Sequence, residues 1–76
     1  MSRMKIKLKE TEEIKAFVNA AEKCDFDIDL ICDSAIVDGK SILGVLSLGL
    51  EKVLTVDCHG KNSDFDRVVQ RFKVEE

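Results

Sequence analysis

Between Met4 and Phe72 the apolar residues switch repeatedly between a period of two and a period of 3.6, which calls for short strands interleaved with amphipathic helices. Met4, Ile6 and Leu8 alternate with lysines, as a strand with one buried face requires. Ile14, Phe17, Val18 and Ala21 then fall at i, i+3, i+4 and i+7, which predicts a helix over about 12–23 with Thr11 as its cap and Glu12 and Glu13 at its positive end. In "DFDIDLIC" the period returns to two, with Phe26, Ile28, Leu30 and Cys32 on one face and the acids mostly on the other. A turn at Asp33–Ser34 leads to a short strand "AIV", and Gly39 ends it. A short apolar helix opened by Ser41 and closed by Gly49 follows, then a strand with Leu54, Val56 and Cys58 on one face. After the loop "HGKN", Phe65, Val68, Val69 and Phe72 repeat the helical stripe, and Ser63 with Asp66 resembles a capping box.

The resulting order is β-α-β-β-α-β-α. The strands are too short and too close together for parallel βαβ units throughout, so the expected class is α/β (α+β), an open-faced sandwich with a four-stranded antiparallel sheet covered on one face by helices. A chain of 76 residues allows one domain, 1–76, and one small core, which buries roughly 60% of the surface the unfolded chain exposes. With 45% hydrophobic and 36% charged residues and no proline, the composition is that of a folded domain and not of a disordered chain.

Charge and hydropathy exclude several classes. A net charge of −3 leaves no broad basic face, and Arg3, Lys5, Lys7 and Lys9 read as one solvated strand face, so no nucleic-acid partner is expected. No apolar run of 18 residues and no signal pattern occurs, so neither a membrane span nor secretion is indicated, and a cytoplasmic location is expected. Cys24, Cys32 and Cys58 are odd in number and scattered, which fits reduced core thiols. Cys58 and His59 are adjacent, but the one histidine has no further ligand at zinc-site spacing, so no metal and no cofactor is expected. Nor can a Ser/His/Asp, Cys/His or paired-carboxylate catalytic set be assembled, which argues against an enzyme.

The stretch "DGKSILGVLSLGL" carries the most specific signal. With the element order, Lys40, Ser41, Ile42, Leu43, Gly44, Val45, Leu46, Ser47, Leu48 and Gly49 resemble the Lys-Ser-Ile-hydrophobic-Gly-Val-hydrophobic-Ser-Leu-Gly run of HPr, the histidine-containing phosphocarrier of the bacterial sugar phosphotransferase system, most closely in its Gram-positive form. Elsewhere the likeness is one of pattern, from Met4 to Phe72, and "AFVNAAEK" resembles the family's first helix. The resemblance implies an HPr-like sandwich and bacterial origin. It also implies phosphorylation at Ser41 by a dedicated serine kinase in catabolite repression, and a docking surface at Ile42, Leu43 and Leu46. Partners implied for that surface are the serine kinase, a transcriptional regulator or another phosphotransferase component.

One departure is as informative as the match. The family carries phosphate on a histidine in a Gly-Leu-His-Ala-Arg-Pro loop before the first helix. Here only "KETEEIKA" separates Leu8 from Phe17, and it contains no His, Gly, Arg or Pro. Glu10, Glu12 and Glu13 suit the start of a helix but repel the anion that free N–H groups would otherwise hold. His59 matches no phosphorylation position of the family and reads as a loop histidine.

Ser41 also has a purely local role, since a serine opening a helix is a good N-cap whether or not a kinase modifies it. For the helix itself, Val45 and Leu48 supply the buried stripe, which leaves Ile42, Leu43 and Leu46 either for an interface or for a tighter core. The leading expectation is a non-catalytic, HPr-like regulatory or protein-binding module that has lost histidine phosphotransfer. The alternatives are a stand-alone structural domain that forms a homodimer through the apolar helix, and a degenerate phosphocarrier using Glu10 or His59.

Overall fold

The computed structural model describes residues 2–74. In chain order the elements are β1 (Ser2–Lys7), α1 (Thr11–Glu22), β2 (Ile28–Cys32), β3 (Ala35–Asp38), α2 (Ile42–Leu48), β4 (Val53–Cys58) and α3 (Ser63–Gln70). The strands form one antiparallel sheet in the order β1-β4-β2-β3, so the last strand in sequence sits between the first and second. This is the α+β open-faced sandwich that the hydrophobic periods call for.

The register explains why each strand buries alternate residues. Met4 lies opposite Val56, which lies opposite Leu30, which lies opposite Val37, and Ile6 lies opposite Leu54 in the next row. These rows meet the apolar stripes of the helices, chiefly Ile14, Phe17, Val18, Val45, Phe65 and Val69. Phe17 and Phe65 join α1 to α3 edge to face, with ring centroids 5.6 Å apart. The opposite side of the sheet carries Arg3 and Lys5, both exposed, whereas Lys7 is half-buried and Lys9 lies beyond the end of the strand.

Two turns depend on special backbone geometry. Asp33 adopts φ 54 in the two-residue β2–β3 hairpin, a conformation that aspartate tolerates and that suits the twist of paired strands. Gly39 approaches β2 so closely that an added Cβ would lie 3.0 Å from the Ile28 carbonyl oxygen and 3.2 Å from the Phe17 ring.

Both long-helix caps differ from the sequence expectation. Helix α1 begins one residue early, so Thr11 is its first residue and Glu10 holds the cap position without a side-chain cap bond. Glu13 compensates, because its Oε1 accepts the Lys9 N–H at 2.7 Å. At α3 the cap is Asn62, whose Oδ1 accepts the Phe65 N–H at 2.9 Å, and Ser63 is the first helical residue. Strand β2 begins at Ile28, leaving Phe26 before it and half-buried against the core.

Candidate functional site

Helix α2 is held in place by its cap, its glycines and its neighbours. The Ser41 Oγ accepts the Gly44 N–H at 3.1 Å, and the Ser41 carbonyl accepts the Val45 N–H, so this serine is the N-cap expected from the sequence. Lys40 anchors the approach, donating Nζ to the Cys24 carbonyl at the end of α1 and its N–H to Asp38 Oδ1. Gly44 keeps the helix close to β3, since a Cβ there would sit 3.4 Å from that of Val37. Gly49, at φ 90, ends the helix in a conformation that favours glycine. The Glu51 N–H then donates to the Leu8 carbonyl at 2.7 Å, so the chain leaving α2 lies beside the entry to α1.

This anchoring divides the helix surface. Val45 and Leu48 enter the core. Ile42, Leu46 and Leu43 occupy an arc of about 100° on the other side at 3.6 residues per turn, and they are 38%, 41% and 77% exposed respectively. The core does not absorb them. Leu50, 42% exposed just past the helix, extends the apolar run and was not singled out in the sequence.

The start of α1 differs in chemistry. Glu10 occupies the cap, Glu12 and Glu13 form the first turn, and no imidazole stands there. Lys7, Lys9, Arg71 and Lys73, together with Glu13, line a hollow of about 260 Å³ next to it, and none of its lining residues is a histidine. His59 is remote from this end. It follows Cys58, which pairs with Ser2, whereas Lys7 at the other end of β1 leads into α1. Five residue steps along a strand correspond to about 17 Å.

Two of the three thiols are shielded from reaction. Cys24 and Cys58 are buried, and burial pushes the Cys58 thiol up to about 11, with nearby Asp66, Cys24 and Asp57 adding to it. Burial also raises Cys24. Both are therefore thiols and not thiolate nucleophiles at neutral pH.

The sequence matches the family model described as "PTS HPr component phosphorylation site" over residues 10–73. The chain belongs to the HPr family. Solved structures agree in fold. HPr-C-His from Thermoanaerobacter tengcongensis superposes with a TM-score of 0.77 at 24% identity, covering 93% of this chain and 89% of that one. The phosphocarrier protein HPr from Bacillus anthracis str. Ames gives 0.74 at 18% identity, with 95% and 96% covered. The histidine-containing phosphocarrier protein of Mycoplasma gives 0.68 at 17%, with 91% and 84% covered. At these identities the structural likeness speaks to fold, and the family match extends over α1, α2 and α3 of this chain.

Proposed function

We propose that this chain is a non-catalytic HPr-family module that binds a protein partner through α2 and has lost histidine phosphotransfer. The observation that carries the reading is the contrast between the two helix starts. Helix α2 keeps the family's serine, its cap geometry and an exposed apolar face, whereas α1 opens on glutamates. Phosphohistidine at a helix start is favoured by free N–H groups, the positive end of the dipole and a nearby arginine. Glutamates there satisfy the helix and oppose the phosphate. Glu10 would have to accept phosphate beside the Glu12 and Glu13 carboxylates of the first turn, and His59 lies at the far end of β1 from the α1 start.

Ile42, Leu43 and Leu46 form the docking face in this reading, and the partner chemistry is that of enzyme I, the HPr serine kinase or a catabolite-repression regulator. The test is amide shift mapping by NMR against enzyme I and the serine kinase of a Gram-positive phosphotransferase system. Perturbations centred on Ile42, Leu43 and Leu46 are expected with at least one of them. Perturbations elsewhere would refute the assignment of the face, and a dimer in sedimentation that buries α2 would favour the structural-domain reading.

Ser41 is the proposed point of regulation. Phosphate there adds about −1.5 to −2 charges beside Ile42 and Leu43, turning an apolar rim into one that selects arginine-bearing surfaces. Treatment with a Gram-positive HPr serine kinase and ATP is expected to modify Ser41, as read by mass spectrometry. No modification under conditions that fully modify an ordinary HPr would leave the serine as a cap alone. Ser41→Ala is expected to cost about 1 kcal/mol in urea denaturation, because the Gly44 N–H loses its acceptor.

A further inference from the structure

The open face of the sheet places Arg3, Asp57, Asp29 and Asp38 in one cross-strand row, each the register partner of the next. Like charges directly opposite one another in a sheet destabilise it, so three neighbouring carboxylates need cations. Lys40 does not serve them, since its ammonium is bonded to the Cys24 carbonyl. Arg3 reaches Asp57 Oδ2 at 3.4 Å from an exposed position, and His59 reaches over the row from the end of β4.

Asp57 is the unusual member. Its side chain is 9% exposed, its Oδ2 is turned toward Arg3 and His59, and its Oδ1 accepts no hydrogen bond among the described residues. A buried carboxylate oxygen without a partner is costly and calls for an explanation. The His59 Nε2 lies 3.4 Å from Asp29 Oδ2 and 3.8 Å from Asp57 Oδ2, long for hydrogen bonds. The 3.4 Å spacing, and after a shift of a few tenths of an ångström the 3.8 Å one, suits a different arrangement. Bonds of about 2.0–2.2 Å in tetrahedral geometry place ligand atoms roughly 3.3–3.6 Å apart. One donor atom from each of Asp29, Asp57 and His59 lies within 4.8 Å of the others.

We propose that Asp29, Asp57 and His59 form a binding site for a divalent transition-metal ion of the zinc type. One imidazole nitrogen and two carboxylate oxygens supply three ligands, and water completes the shell. The site is separate from α2 and from the start of α1. Sequence spacing hides it, because Asp29 and His59 are 30 residues apart and only the β2–β4 register brings them together. Arg3 is the competing cation, since its guanidinium already pairs with the Asp57 carboxylate.

The test is a titration of the demetallated chain with zinc chloride by calorimetry, and with cobalt(II) by absorption spectroscopy. Saturable binding of one ion is expected, with amide shifts centred on Asp29, Asp57 and His59. Asp29→Asn and His59→Gln should each weaken binding by about tenfold or more. Arg3→Gln should strengthen it, an effect that ion pairing at scattered surface acids would not show. Cys32→Ser should leave it unchanged, and the cobalt spectrum should lack a thiolate charge-transfer band. The proposal is overturned by absent saturation at millimolar zinc, by unchanged affinity in His59→Gln, or by a thiolate band.

Discussion

Phe17→Ala is expected to bring the protein to the edge of unfolding, with a loss of about 3–5 kcal/mol in urea denaturation. Phe17 is fully buried, meets Phe65 edge to face across α1 and α3, and lies against the backbone at Gly39. No neighbour can easily fill the space, because the chain's close approach at Gly39 already fixes the wall of that cavity. A domain of 76 residues has a total stability of about 4–11 kcal/mol at usual per-residue values, so the substitution removes a large part of it. Ile36→Ala is the matched control, since Ile36 is 66% exposed on the edge strand and its truncation should stay within about 0.5 kcal/mol. A Phe17→Ala protein as stable as the control would contradict the core described above.

Leu43→Asp should have the opposite profile, weakening partner binding by about 30-fold or more while leaving stability within about 0.5 kcal/mol. The separation follows from burial. Leu43 is 77% exposed, so a charge there is solvated in the free protein and buried only when a partner covers it. Val45→Asp on the same helix is the contrast, because Val45 is in the core and its replacement should unfold the domain. Paired melting curves and titrations against enzyme I or the serine kinase measure both quantities. A fall in stability for Leu43→Asp comparable with that of a core truncation would place the side chain in the core.

The fold was legible in the sequence because each element buries one side only. Ile14, Phe17, Val18 and Ala21 mark a helix face, and Leu54, Val56 and Cys58 a strand face, whatever their tertiary partners are. Caps were less legible, since Glu10 and Thr11, or Asn62 and Ser63, are adjacent, and the choice depends on where the first turn closes. Asn62 prevails at α3 by reaching the Phe65 N–H, and Glu13 makes a side-chain cap at α1 unnecessary by binding the Lys9 N–H. For α2, Ser41 and the buried pair Val45 and Leu48 could be read directly, and from them the exposure of Ile42, Leu43 and Leu46. The gathering of Asp29, Asp57 and His59 was not legible. In sequence the two aspartates look like solvent-facing residues of separate strands, and it is β4 inserting beside β2 that sets them opposite each other.

The central claim, a phosphocarrier fold without histidine phosphotransfer, is tested most directly by incubating the chain and an ordinary Gram-positive HPr in parallel with enzyme I and labelled phosphoenolpyruvate. The control protein should acquire acid-labile label, and this chain should acquire none, because glutamates open α1 and His59 lies at the other end of β1. Acid-labile label on this chain at a rate like that of the control would contradict the account.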